Sequence, residues 1–264
     1  MHDIIYNNGK YIAVGGNPSA TGSAIVATST NLTDWTTTQM GVSSGEYRYY
    51  EFKCIAYGNG RYVTTGGSGW AATSTDGITW TGNLKIGSNN KNAITYGNGR
   101  FVTVGKWGFM NTSTDGVNWS REDVAITSNR DLLDIIYANG IFIAVGPLEC
   151  VITSTDGINW TTRTDYRTYT WKSITYGNGK FVVVATEGYT STSTDGITWT
   201  PPIKIVGTTN WQEITYVKDN FIAVGTNGYM VTSTDGINWS VPIQIKDKQG
   251  TPINVNLYGI CAMP

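Results

Sequence analysis

The chain has 264 residues, a formal net charge of −1 and only 14% charged residues. A charge this close to zero gives no general attraction to nucleic acid or to an anionic membrane, so neither partner is expected. No apolar run approaches the roughly 18 residues of a membrane span, and the residues after Met1 do not have the pattern of a signal peptide.

Histidine and cysteine are too few for several kinds of active site. His2 is the single histidine, so a zinc site and a Ser-His triad both lack parts. Cys54, Cys150 and Cys261 form no Cys-x-x-Cys pair, and an odd number cannot pair fully. We therefore predict no metal site and no cofactor.

An eight-residue motif returns along the chain at nearly constant intervals. It is degenerate at 28–35 (TSTNLTDW) and regular afterwards, as in TSTDGITW at 73–80 and again at 192–199. Its last Trp recurs after 45, 39, 41, 39 and 40 residues. A period near 40 in a Val/Ile/Thr/Tyr-rich sequence predicts four-stranded propeller blades rather than helical repeats.

The fifth repeat shows the predicted unit. We expect strands at Ser173–Tyr176, Phe181–Ala185, Tyr189–Thr194 and Ile197–Thr200, with turns at Gly177–Gly179 and at Asp195-Gly196. Asn-Gly and Asp-Gly between β-rich runs are strong hairpin signals, because Gly accepts positive φ without steric cost.

The predicted fold is all-β: a single six-bladed β-propeller of four-stranded antiparallel blades over residues 1–264. The blades lie approximately at 1–40, 51–83, 91–122, 132–163, 171–202 and 211–242. Residues 256–264 match the first strand of a repeat, which gives seven inner strands for six outer ones. Either this extra strand closes the ring, or the chain is a piece of a longer protein, which is our expectation.

The repeated Asp and Trp have a structural explanation. The turn carboxylate can accept backbone N–H groups one to three residues on, and the Trp buries about 200 Å². Equivalent positions about 60° apart around a ring cannot converge on one substrate. The predicted scaffold residues are Asp76, Asp115, Asp156, Asp195 and Asp235 with Trp80, Trp119, Trp160, Trp199 and Trp239.

The motif S-T-D-G-x-[TN]-W resembles a shortened Asp-box, the S-x-D-x-G-x-T-W hairpin of sialidase-like propellers and of bacterial and phage surface proteins. The resemblance covers nearly the whole chain, although the box here lacks one residue between Asp and Gly. It implies the propeller architecture and an extracellular, cell-surface or virion location within a longer protein. It is weak for activity, since Asp-boxes occur in glycosidases and in non-catalytic binding propellers.

A sialidase-like site would need three converging arginines, a Tyr-Glu pair and an Asp acid. Arg61 and Arg100 belong to the repeat, and no motif pairs the carboxylates outside it. We predict no catalytic residues and keep a glycoside hydrolase as the second alternative.

The turns between second and third strands share one face with the blade-to-blade linkers, and there the copies differ. Varied loops on a rigid scaffold are typical of recognition surfaces. Aromatic rings beside Arg and carboxylates suit sugars, so we predict a non-catalytic module that binds cell-surface glycan. The candidate ligand-binding residues are Tyr47, Arg48, Tyr49, Tyr50, Trp107, Asp165, Tyr166, Arg167 and Tyr169.

Large exposed aliphatic patches would favour the main alternative, a protein-binding scaffold in a larger assembly. The linkers carry few of them, with Leu84–Ile86 and 203–206 as the exceptions. Trp70, Phe109, Tyr189 and Tyr229 share one register in the repeat, which indicates packing. Asp3, Asp134 and Glu213 share an inner-strand position, where we expect solvated carboxylates, with a bound cation as the alternative.

Overall fold

A computed structural model of the protein describes residues 1–17, 23–40, 51–120, 130–148, 150–164, 168–207 and 209–260. In these ranges the chain forms six antiparallel sheets, which follow one another in sequence, and four 3-10 turns. It divides into two compact units, with sheets 1–3 in the first and sheets 4–6 in the second. None of the helical segments in the described ranges is long and apolar enough to cross a membrane.

The first unit contains three sheets in which each strand pairs with the next one along the chain. Sheet 1 consists of β1 (Asp3–Asn7), β2 (Lys10–Asn17), β3 (Ser23–Ser29) and β4 (Thr36–Met40). Sheet 2 consists of β5 (Phe52–Gly58), β6 (Arg61–Gly66), β7 (Trp70–Ser74) and β8 (Thr81–Lys85). In the described ranges sheet 3 has β9 (Lys91–Gly97), β10 (Arg100–Gly105) and β11 (Met110–Ser113).

The second unit repeats this up-and-down order in three four-stranded sheets. Sheet 4 consists of β12 (Asp134–Ala138), β13 (Ile141–Val145), β14 (Val151–Ser154) and β15 (Thr161–Thr164). Sheet 5 consists of β16 (Trp171–Gly177), β17 (Lys180–Ala185), β18 (Tyr189–Ser193) and β19 (Ile203–Lys204). Sheet 6 consists of β20 (Trp211–Val217), β21 (Asn220–Gly225), β22 (Tyr229–Ser233) and β23 (Ile243–Gln244).

The hairpin between the first and second strands follows from its Asn-Gly sequence. In sheet 5, Gly177 pairs with Lys180 across a turn in which Asn178 and Gly179 have φ of 46° and 72°. Two successive positive φ angles match the twist of the flanking strands. The predicted hairpin is therefore confirmed.

Within each unit, consecutive sheets pack face to face through their second strands. Val182 and Val184 of sheet 5 pack in one cluster with Trp211, Ile214 and Phe221 of sheet 6. Trp211 is fully buried. Burying a Trp side chain of about 200 Å² stabilises the fold by on the order of 5 kcal/mol of apolar transfer free energy. This packing explains why second strands such as β6, β10 and β17 are buried on both faces.

The predicted outer strand of the repeat, Ile197–Thr200, is wrong. The bend that contains the Asp-Gly turn covers residues 194–198, and the fourth strand is Ile203–Lys204. Pro201 and Pro202 separate the two, and proline has no N–H to donate to a ladder. The segments Leu84–Lys85 and Ile203–Lys204 are therefore strand residues and not linkers.

The C-terminal segment differs from the predicted closing strand at 256–264. Residues 256–260 form no strand, and 261–264 lie outside the described residues. Leu257 nevertheless donates its N–H to the Gly225 carbonyl at 3.1 Å. The N–H groups of Leu132 and Trp171 make the same bond to the end of a preceding second strand, so the segment leaves sheet 6 as those connections leave theirs.

The Asp-Gly turn is held by side-chain oxygens. Asp76 accepts the N–H groups of Ile78 and Thr79 through Oδ1, both at 2.7 Å. The Ser74 hydroxyl donates to the same Oδ1 at 2.9 Å and accepts the Gly77 N–H at 2.8 Å. The Trp80 indole donates to the Gly77 carbonyl at 3.2 Å, which ties the Trp to its turn.

The same bonds recur at Asp115, Asp195 and Asp235, and Asp156 accepts the Ile158 N–H at 2.8 Å. In the degenerate copy Asn31 replaces the Asp and Leu32, at φ 65°, replaces the Gly. The regular turns need Gly for space as well, because a Cβ on Gly77 would lie 2.5 Å from Ile12 of the preceding sheet.

Asp195→Asn should change how the protein unfolds in acid. Hydrogen bonds from the Thr198 and Ile197 N–H groups lower the Asp195 pKa to about 2, from an ordinary 3.8. A depressed folded-state pKa contributes stability above pH 3.8 that is lost as the pH falls toward 2. Urea unfolding between pH 5 and about 2 should show a shallower loss for the variant. Superimposable curves would contradict this role.

Candidate recognition face

The connection between the second and third strands is built alike in four sheets. It is a three-residue 3-10 turn in each of them: Gly67–Gly69, Lys106–Gly108, Thr186–Gly188 and Thr226–Gly228. The middle residue has a left-handed backbone, and Leu148 holds the equivalent place in sheet 4. We call these apex residues: Ser68 (φ 50°), Trp107 (57°), Leu148 (58°), Glu187 (60°) and Asn227 (56°).

A side-chain oxygen from the following linker holds the apex N–H. Asn90 accepts it from Ser68 at 2.8 Å and Asp131 from Trp107 at 2.9 Å. In the second unit Asn210 and Asn256 do the same for Glu187 (2.7 Å) and Asn227 (3.3 Å). We call these four acceptors clip residues; each stands one position before the residue that starts, or aligns with the start of, an inner strand.

The clip residue also bonds to the next turn along the chain. The Asn90 carbonyl accepts the N–H of Lys106, the first residue of the turn in sheet 3, at 3.0 Å. The Asn210 carbonyl accepts the N–H of Thr226 at 3.1 Å. One residue therefore fixes the turns of two neighbouring sheets against each other.

The apex carbonyl is satisfied by the fourth strand. Lys85 Nζ donates to the Ser68 carbonyl at 2.6 Å, and Gln244 Nε2 to the Asn227 carbonyl at 2.9 Å. The Lys85 ammonium also lies 4.8 Å from the centre of the Trp70 ring. At Ser68 and Asn227 both backbone groups are therefore bonded to other residues.

Two apex side chains are large, apolar and exposed. Trp107 is 52% exposed and Leu148 37%. A left-handed backbone costs a non-glycine residue roughly 1–2 kcal/mol, and it is most unusual for a bulky one. Folding alone would favour Gly or Asn here, so folding does not account for a Trp at this position.

Most of the predicted ligand-binding residues lie outside the described residues: Tyr47, Arg48, Tyr49, Tyr50, Asp165, Tyr166 and Arg167. Trp107 is at an apex, on the face where ligand binding was predicted. Tyr169 stacks on Tyr189, with ring centres 3.9 Å apart and planes at 24°, and packs against the core of its unit. Much of its ring therefore has a packing role.

The inner-strand carboxylates join neighbouring sheets instead of facing solvent alone. Asp3 accepts the Ile55 N–H at 2.9 Å, and Asp134 accepts the Ile174 N–H at 2.9 Å and the Ser173 hydroxyl at 2.8 Å. Both residues are half-buried, and these bonds to the next sheet were not part of the expectation of solvated carboxylates. No group of three His, Cys, Asp or Glu side chains in the described ranges is placed to bind a metal.

Lys91 is a buried charge that the sequence analysis missed. It is fully buried at the start of β9, where sheets 5 and 6 have Trp171 and Trp211. It is the only charged side chain among the buried residues of the described ranges. A Lys among Trp, Leu and Phe at this repeat position was the available signal.

The comparisons with known proteins support the fold. No family model matches the chain, and no curated protein does. Solved structures do: the WD40 propeller domain of Doa1 (TM-score 0.67, 10% identity, 98% of this chain and 84% of that one) and a chain of a nidogen/laminin complex (0.59, 12%, 96% and 98%). YCF48 bound to a D1 peptide also matches (0.57, 17%, 72% and 65%), so the likeness spans less than two thirds of that chain.

The chain has a β-propeller fold. It is all-β, with six sheets in the place of blades. At identities of 10–17% the likeness shows the fold alone. What the propeller binds must be argued from its own residues.

Asn210→Ala should lower the free energy of unfolding by about 1–2 kcal/mol, because the Glu187 N–H loses its acceptor. Asn210→Asp is the matched control, since Asp131 clips Trp107 with a carboxylate oxygen. Urea denaturation of both variants measures the difference. Equal losses in Ala and Asp would show that the side-chain oxygen is not what matters.

Asp134→Asn should weaken the pH dependence of stability between pH 4 and 8, above the range in which Asp195 acts. Burial raises the pKa of the Asp134 carboxyl, against the lowering effect of its bonds from Ile174, Ser173 and Ile135. The folded state then keeps the proton to higher pH than the unfolded chain. The contribution of Asp134 to stability is greatest below about pH 4 and falls as the pH rises through its raised pKa. Urea midpoints from pH 4 to 8 should fall less in the variant, whatever its absolute stability.

Proposed function

We propose that the chain is a non-catalytic, protein-binding propeller that holds its partner at the apex residues of the first unit, Ser68 and Trp107, with Trp107 as the anchor. The observation that carries the proposal is a Trp left 52% exposed on a left-handed backbone whose N–H is bonded to Asp131. Exposed Trp is among the residues enriched in the energetic centres of protein interfaces. The repeated Asp-Gly turns, which resemble Asp-boxes, would serve as the scaffold that supports the turns carrying the apex residues.

The solved structures support this class of function. Two of the similar structures hold a second component, a D1 peptide with YCF48 and the partner in the nidogen/laminin complex. Carboxylates of the described scaffold are engaged in turns and between sheets, as Asp76 and Asp134 show. Groups committed in this way favour a structural role over general acid–base catalysis.

A glycan is the competing ligand at the same face. A fixed indole can stack on a sugar as well as on a peptide, and seven of the nine residues predicted for a glycan lie outside the described ranges. We favour the protein partner because two of the similar solved structures hold a peptide or a protein, as their names state.

The test is a selection of displayed random peptides of about 12 residues on the immobilised chain, with a glycan array probed by the same sample. Selected peptides are then titrated against Trp107→Ala and against Tyr258→Ala. Tyr258 is the matched control, an aromatic side chain 60% exposed that is not at an apex. Thermal unfolding of both variants checks that they fold.

We expect peptides that bind the wild type and Tyr258→Ala and lose about tenfold or more in affinity on Trp107→Ala. Peptides that bind all three proteins equally would remove Trp107 as the anchor. Glycan hits that depend on Trp107, without peptide hits, would replace the protein partner by a sugar. The absence of both would overturn the proposal.

A further inference from the structure

The apex residues of the first unit lie on one continuous set of contacts. Lys85 bonds to the Ser68 carbonyl, and the Ser68 N–H bonds to Asn90. The Asn90 carbonyl accepts the Lys106 N–H, and next to Lys106 stands Trp107, clipped by Asp131. We call this surface the unit-1 turn face; it comprises Ser68, Lys85, Asn90, Lys106, Trp107 and Asp131.

The unit-1 turn face carries a net positive charge, whereas the whole chain has a net charge of −1. Lys85 and Lys106 are exposed, and the salt bridges of the described residues, His2–Glu51 and Lys53–Glu51, involve neither. Asp131 is the one carboxylate of the face, which leaves a net charge of +1 (two Lys against one Asp) in a chain of net charge −1.

The turns of sheets 5 and 6 do not share this charge. Lys204 lies over Tyr189 at 5.5 Å as Lys85 lies over Trp70, but the apex beside it is Glu187. In sheet 6 the corresponding residues are Gln244 and Asn227, both neutral. The two sheets together therefore carry no net charge at these positions, and they carry no apex Trp.

The Lys85 ammonium is held ready for an anionic ligand. It has three N–H groups, of which one is donated to the Ser68 carbonyl, and the ammonium lies 4.8 Å from the centre of the Trp70 ring. A carboxylate on Lys85 and Lys106 would lie on the same surface as the Trp107 ring. Charge of this kind selects a partner and speeds its association.

We propose that the partner of the unit-1 turn face is an acidic peptide segment that places carboxylates on Lys85 and Lys106 and an aromatic or aliphatic side chain on Trp107. The inference rests on the proposed function and names the chemistry of its partner. Two cations suit a short acidic segment, whereas a nucleic acid backbone needs a longer basic track.

The probes are four labelled peptides of about 12 residues: Glu-rich with two Phe, its Gln counterpart, its Lys counterpart, and the Glu-rich peptide with Phe replaced by Ser. Fluorescence anisotropy gives their affinities at about 50 and 300 mM NaCl. Lys106→Glu is the main variant, because Lys106 is exposed and its fold contact is through the backbone N–H. Lys204→Glu is the matched control from sheet 5.

We expect the Glu/Phe peptide to bind about tenfold more tightly than its Gln counterpart, to weaken with salt, and to lose about tenfold on Lys106→Glu but not on Lys204→Glu. Equal affinity of the Glu and Gln peptides, or equal losses in the two variants, would overturn the inference. Selected peptides that need Trp107 but carry no acidic residues would overturn it while leaving the proposed function intact. Peptides whose affinity is unchanged by Trp107→Ala would overturn both the inference and the proposed function.

Discussion

The structure depends on backbone N–H groups that are accepted by side-chain oxygens of a neighbouring sheet. A single four-stranded sheet of this length cannot bury both of its apolar faces, so each sheet must be fixed against the next. Asp3 and Asp134 make this connection on the inner strands, and Asn90 and Asn210 make it on the turns. The apolar layer supplies the free energy, and these oxygens fix the relative position of the sheets within each unit.

The repeat predicted the strands well because the signals are local. Asn178-Gly179 specifies a hairpin whatever surrounds it, and the apolar run Phe181–Ala185 specifies a strand buried on both faces. The outer strand was misplaced because its position depends on where pairing resumes after the bend. Two prolines decide that in sheet 5, and the period of the Trp does not report it.

The clip residues could not be read from the repeat for a different reason. Each stands at the end of a linker, and the linkers differ in length, so an alignment on the box Trp does not bring Asn90 and Asn210 into register. They become equivalent only when counted back from the inner strand. For Lys91 the position in the repeat is clear from the sequence, because it aligns with Trp171 and Trp211. Its burial was not predicted, because the position is apolar in the other repeats and Lys is charged.

Because the clip residues hold the turn through its backbone, the side chain of the apex residue can vary without changing the turn. Because the N–H and C=O groups of an apex such as Ser68 are bonded to other residues, its conformation does not depend on the side chain that it carries. Evolution can then change Ser to Trp, Leu, Glu or Asn at the cost of left-handed strain alone, about 1–2 kcal/mol for a residue other than Gly. That cost is large for a surface residue, and it destabilises the fold in every repeat whose apex is not Gly. Folding does not account for a Trp that accepts this cost while remaining half exposed, which is why the proposed contact is centred on Trp107. The charge of the proposed partner follows from Lys85 and Lys106, which lie on the same turn face.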